Sequence, residues 1–115
     1  MEARRLTREE RLRLRRDFDR VFREGRSVAN EYLRLVYVEN GLDHPRMGVV
    51  TRKRLGKAVF RNRLRRLARE FFRLNKEKFP RVDVVFYFRD GSRELRGMKY
   101  RQFEEMALRL LEMMR

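Results

Sequence analysis

The sequence predicts an α+β protein, an α/β sandwich in which three helices pack on a small, mostly antiparallel sheet. Two stretches rich in aromatic and β-branched residues, 31–39 and 82–88, read as strands. Three stretches, 17–25, 57–75 and 99–114, carry apolar residues at helical spacing. Turn formers separate them, and no second composition block appears in 115 residues, so the expectation is one domain, 1–115.

The elements follow in order. Residues 1–16 form an Arg-rich arm in which Leu6, Leu12 and Leu14 are scattered, and 1–8 is expected to be a flexible basic segment. DFDRVFREG, 17–25, is a short helix with Asp17 as cap, Phe18, Val21 and Phe22 on one stripe and Gly25 as stop. EYLRLVYVE, 31–39, is a strand, and SVAN before it can add a short extra pairing. NGLDHP, 40–45, is dense in turn formers, and RMGVVTR, 46–52, returns as a strand, so these two are expected to form a hairpin. A long helix over 57–75 ends near Asn75, before Pro80. VDVVFYF, 82–88, is a nearly continuous apolar run, as suits a strand covered on both faces. RDGSRELRG is a loop, and the final helix repeats Phe103, Ala107, Leu110 and Met114. The order is therefore α-β-β-(β)-α-β-α.

Charge narrows the function. Thirty-two Lys plus Arg against 17 Asp plus Glu give a net charge of +15, and self-repulsion of that size is relieved by a polyanionic partner. Only five of the cations are lysine (Lys53, Lys57, Lys76, Lys78, Lys99); the rest are arginine, whose planar fork grips phosphate at two points and stacks on bases. An Arg- and Glu-rich surface also suits a heat-tolerant source, but ion-pair networks need comparable numbers of each sign. Cysteine is absent, which excludes disulfides, thiolate metal sites and a Cys nucleophile. The N-terminus has no apolar core of signal-peptide type and no run reaches the ~20 apolar residues of a membrane span, so a cytoplasmic protein without a membrane partner is expected.

RKRLGKAVFRNRLRRLAREFFR, 52–73, concentrates that charge: ten basic residues and one acid, Glu70. On a helical wheel Leu64, Leu67, Phe71 and Leu74 fall within about 40° of Phe60 and make one core stripe. Arg61, Arg65, Arg69, Asn62, Arg73 and Arg66 occupy the opposite side, from about 100° to 240°. A merely solvated face normally alternates sign, whereas Arg61, Arg65, Arg69 and Arg73 are a like-charge i,i+4 ladder. Cations also crowd the positive end of the helix dipole, where the backbone favours an anion. Bound phosphate relieves both conflicts.

KRLGKAVFRNRLRRLAR, 53–69, resembles the signature of the bacterial ribonuclease P protein family: two basic residues, a Gly turn, Ala-Val, then Arg-Asn-Arg and a basic pair. DFDRVFREGRSVAN, 17–30, resembles that family's first helix and the segment after it, and the likeness runs from about residue 6 to 88. The resemblance implies a left-handed βαβ crossover carrying the motif helix, against the usual right-handed rule. It implies an RNA-binding subunit of a ribonucleoprotein whose RNA, not the polypeptide, catalyses endonucleolytic removal of the 5′ leader from precursor tRNA. The RNA is expected to hold the divalent metal, magnesium, with no cofactor on the protein, and to pair 1:1 with it. By the same resemblance Lys53, Arg54, Arg61, Asn62, Arg63, Arg65, Arg66 and Arg69 face the catalytic RNA, and Arg52, Lys57 and Arg73 extend that set. The single-stranded leader maps to a cleft beside Phe18, Phe22, Arg34 and Val36. Aromatic rings stack on unpaired bases whatever their sequence, which suits variable leaders. Core packing accounts for Phe18 and Phe22 equally well at this point, and Arg34 puts a cation where the cleft could have an apolar or aromatic residue. Arg52 stands where a small hydroxyl residue is expected.

Other classes fit less well. His44, the only histidine, sits in a turn beside Pro45 without a partner at ligand or triad spacing, and Asp17, Asp19, Asp43, Asp83 and Asp90 are scattered, so no catalytic or metal-binding residues are assigned. A DNA reader would offer Asn, Gln or Ser among its cations, and here Asn62 stands alone. A membrane-surface helix needs a free apolar face, which the core requires. A non-enzymatic, ribosomal-type RNA-binding module is the alternative.

Overall fold

The computed structural model describes residues 5–114. Three α-helices, α1 (Arg15–Glu24), α2 (Ala58–Leu74) and α3 (Tyr100–Glu112), pack on four strands, β1 (Arg26–Ala29), β2 (Leu33–Glu39), β3 (Arg46–Val50) and β4 (Val82–Phe88). Short 3-10 turns at Arg8–Glu10, Lys53–Leu55, Lys76–Lys78 and Asp90–Leu95 join them. The strand expected near 27–30 is β1, and the α+β architecture is as the periodicities predict.

The sheet order is β1-β2-β4-β3. β2 and β3 do not form the expected hairpin: β4 lies between them, antiparallel to β2 and parallel to β3. The reason lies in burial. β4 is covered on both faces and gains most in the centre, with Val82, Val84, Phe86 and Phe88 turned to α2 and α3 and Asp83 and Val85 turned to α1. The 40–45 turn therefore carries the chain across to the far edge of β4, and α2 forms the crossover from β3 back to it.

The larger core lies under α2 and α3. Leu33, Leu35, Val84, Phe86 and Phe88 from the sheet meet Phe60, Leu64, Leu67 and Phe71 from α2 and Phe103, Ala107 and Leu110 from α3. Phe71 stands edge-on to Phe79, Phe86 and Phe103, with ring centroids 6.0, 6.2 and 6.3 Å away. The α2 stripe is as expected from Phe60 to Phe71 and widens to Ala68 and Phe72, while Leu74 is only half-buried. Each such side chain contributes about 1.5–3 kcal/mol by leaving water.

The opposite face carries a smaller core of Leu12, Val21, Val36 and Val85, with Phe18, Val38 and Val50 packed against it. α1 starts earlier than predicted. Leu14 takes the N-cap position in extended conformation, and Asp17 lies in the first turn. Asp17 is therefore not the cap; its carboxylate complements the positive end of the helix instead. At the other end Gly25 ends α1 by proximity: a Cβ there would lie 2.4 Å from the Val21 carbonyl oxygen and 2.8 Å from that of Tyr37.

Of the basic arm expected over 1–8, residues 1–4 lie outside the described residues. From Arg5 onward the chain is docked. Leu6 packs on the larger core, Thr7 and Glu10 close a capping box, Lys76 bonds the Arg5 carbonyl and the Glu10 carboxylate, and the Leu12 amide donates to the Met47 carbonyl at 2.8 Å.

Candidate nucleic-acid interface

Two sites emerge, on different sides of the molecule. The first is built on α2. Its entry is a 3-10 turn, Lys53–Leu55, that buries Leu55 and leaves Lys53 and Arg54 exposed, followed by Gly56 at φ 146°, a conformation that side chains rarely adopt. α2 then begins at Ala58 with no acidic residue in its first turn, so its unbonded amides and positive dipole end face solvent beside Lys57.

Along α2 the like-charge ladder is real in space. Arg61 Nε donates to the Gly56 carbonyl at 3.1 Å, Arg65 to Asn62 Oδ1 at 2.9 Å, and Arg73 makes a two-point contact with Glu70 at 3.2 and 2.7 Å. Among the described residues Arg66 and Arg69 have no acidic partner. The docked arm brings Arg5, Arg8 and Arg11 to the same place, where they and Asn62, Arg65, Arg66, Arg69 and Arg73 line an open groove of about 1020 Å³. Arg11 is fixed there by a parallel bridge to Met47 at the edge of β3. Partial burial, and then the charges of Arg11 and Arg65, hold the Arg69 guanidinium below the ordinary arginine value. The cations are thus held together against their own repulsion, and a phosphate in the groove would neutralise several at once.

Arg63 and Arg52 leave this group. Arg63 turns to the other flank of α2 and donates to the Met98 carbonyl, leaving its Nε buried and unpartnered among the described residues. Arg52 bonds Asp90 at 2.7 Å, with Arg54 on the same carboxylate at 3.3 Å, and its guanidinium lies over the Tyr87 ring at 5.0 Å. Arg52 therefore belongs to the second site.

That second site lies between α1 and the free end of the smaller-core face of the sheet. Register puts Arg34 opposite Tyr87 on β4 and Ala29 on β1, and puts Val36 opposite Val85 and Ser27. Because Val36 and Val85 meet α1, alternation settles the orientation of Arg34: it stands on this same face, with Nη1 3.1 Å from Ser27 Oγ. The four residues expected here divide. Val36 is buried and Phe18 half-buried against Gly48, so they form the floor. Phe22 is 44% exposed and meets Tyr87 edge-on, with centroids 6.1 Å apart and planes at 81°, so Phe22 and Arg34 line the open part.

Sequence reasoning missed Arg5, Arg8 and Arg11 in the first site and Tyr87 in the second. The alternation of 82–88 held a signal for Tyr87, since it shares a side with Val85. The arm had no periodic signal at all; tertiary contacts place it, through Leu6 on the core, Lys76 on Glu10 and the bridge at Met47. Among the described residues no group of three or more His, Cys, Asp or Glu side chains converges as a metal site would require, and no helix is long and apolar enough to cross a membrane.

Comparison with known proteins shows the family and the fold. The family described as Ribonuclease P matches residues 6–115. A "Ribonuclease P protein component" of Thermotoga maritima is 44% identical over 108 residues, covering 92% of each chain, and one from Pelotomaculum thermopropionicum is 42% identical over 102 residues, covering 88% of each. Among solved structures, the Thermotoga maritima RNase P protein in complex with 1-(4-fluorophenyl)-2-thiourea superposes with a TM-score of 0.83 at 42% identity, covering 90% of this chain and 99% of that one. The Staphylococcus aureus RNase P protein gives 0.81 at 30% identity, covering 90% and 93%.

Proposed function

This chain belongs to the ribonuclease P protein family, and from that premise we propose that its two sites serve two RNAs: the groove between the arm and α2 holds the catalytic RNA, and the cleft beside α1 receives the single-stranded 5′ leader of precursor tRNA. The observation that carries the reading is the clustering of Arg65, Arg66 and Arg69 with Arg11 and no acid between them, apart from Glu70, which is already paired to Arg73. Such a face is unfavourable alone and favourable on a phosphate backbone.

In this reading the polypeptide binds and orients, and the RNA, paired 1:1 with it in the cytoplasm, holds the divalent metal and carries out hydrolysis. Four of the protein's carboxylates are held by cations: Asp83 by Arg46, Asp90 by Arg52 and Arg54, Glu70 by Arg73, and Glu10 by Lys76. No step is assigned to a protein-bound metal.

Reconstitution with the catalytic RNA tests the division of labour. The expected result is that adding the protein tightens precursor tRNA binding over mature tRNA and lowers the magnesium requirement. Equal changes for both tRNAs would remove the leader cleft and leave the chain a binder of the catalytic RNA alone.

A further inference from the structure

We propose that Tyr87 is the base-stacking platform of the cleft, and that Arg52, latched to Asp90, caps it until a leader phosphate draws the guanidinium away. The inference rests on the assignment of the cleft to the leader and adds to it a residue, a gate and an order of events.

The platform follows from what the cleft offers. On β2 the position level with the open end is Arg34, which leans toward Ser27 on β1 and presents no ring. Its register partner on β4 is Tyr87, half-buried on the same face and buttressed edge-on by Phe22. A perpendicular neighbour can cover at most one face of the ring, so Phe22 steadies Tyr87 and leaves a face for a base. Tyr87 also borders a cavity of about 290 Å³, lined by Glu31, Arg34, Arg52, Arg89 and Asp90 as well, which combines a ring with three cations as unpaired nucleotides require.

The gate follows from the bonding of Arg52. Its guanidinium lies over the Tyr87 ring, where a base would stack, and is held by one bond from Nη2 to Asp90 Oδ1. Arg52 Nε is buried and has no partner among the described residues. A buried donor left unmet is costly, so the capped arrangement is incompletely satisfied. A phosphate accepts from Nε and Nη2 together, which Asp90 does not do here. A nucleotide entering the cleft thus presents the phosphate that displaces Arg52 and the base that takes its place on the ring. Asp90, half-exposed, keeps Arg54 and solvent when Arg52 leaves.

The test uses holoenzyme reconstituted with the catalytic RNA, and precursor tRNA carrying 2-aminopurine at single leader positions. Stacking on Tyr87 predicts quenched fluorescence at one position. Tyr87→Leu, which keeps an apolar side chain against Phe22, is expected to abolish that quenching and to reduce the preference for precursor over mature tRNA by about 5- to 100-fold. Tyr87→Phe is expected to restore both. Asp90→Asn is expected to tighten precursor binding several-fold with mature tRNA unaffected, because the latch is released. Wild-type discrimination that survives Tyr87→Leu with its quenching intact overturns the platform, and Asp90→Asn that leaves precursor binding unchanged or weaker overturns the latch. If the wild type itself does not discriminate, the cleft assignment fails first, which is a different result from either.

Discussion

Arg46 grips the fully buried Asp83 at two points, Nε to Oδ1 at 2.8 Å and Nη2 to Oδ2 at 2.7 Å. Asn40 adds a bond to Oδ1 at 3.1 Å, and Arg20 of α1 approaches Oδ2 at 3.7 Å. One carboxylate thereby ties α1, β3, β4 and the 40–45 turn together at the closed end of the cleft. Arg46→Ala leaves Asp83 buried with its main partner gone and is expected to cost about 3–5 kcal/mol, toward the lower end because Arg20 and Asn40 remain. Urea unfolding measures this, and pairing the change with Asp83→Asn should lose less than the two single losses combined.

The ladder on α2 has a different signature, in binding and not in folding. Replacing Arg65 and Arg69 with Ala is expected to lower the slope of log K against log salt for RNA binding by about 1–2, since each phosphate contact contributes roughly 0.9. The fold should be unharmed, because removing like charges at i,i+4 relieves repulsion of a few tenths of a kcal/mol. An unchanged slope would make these residues a solvated face.

Docking of the arm is expected to depend on pH. Partial burial raises the Glu10 carboxyl, but the bonds from Lys76 and Thr7 outweigh it and hold the group below its ordinary value of 4.5. A carboxyl depressed in the folded state stabilises that state above its unfolded value and loses the contribution as pH falls through the folded one. Glu10→Gln should therefore be less stable than the wild type by about 1 kcal/mol at neutral pH, given the partial exposure of the pair, and the difference should shrink as pH falls below 4.5 and vanish once the carboxyl is protonated in the folded state as well. Denaturation midpoints from pH 3 to 7 check this.

Gly48 sets the depth of the cleft floor. A Cβ there would lie 2.5 Å from Phe18 Cζ and 3.2 Å from Leu12 Cβ. Gly48→Ala is expected to push Phe18 outward, with a loss of about 1–3 kcal/mol from overpacking and a weaker preference for precursor over mature tRNA in reconstituted holoenzyme. Leader affinity that survives a measured loss of stability would show that Phe18 is core alone.

Much of this molecule was legible in its residues because the signals are local. A period near 3.6 separates the Phe60 stripe from the Arg61 ladder whatever surrounds the helix, and alternation defines the strands before any pairing is known. The resemblance in 53–69 then directed that ladder toward RNA. Pairing order is not local: the turn formers of 40–45 suited a hairpin, and only the gain from burying β4 on both faces placed it between β2 and β3. The same holds for side chains within one pattern. Phe18 and Phe22 share a stripe, yet Gly48 takes one ring into the floor and Tyr87 meets the other in the open cleft. Arg52 and Arg63 belong to the same basic run as Arg65 and Arg69, yet Asp90 and the Met98 carbonyl draw them away. Residue type and spacing by themselves determined the elements, their charged and apolar faces, and the kind of partner. Which cations converge, and which ring stands open to a base, was decided by contacts between residues far apart in the chain.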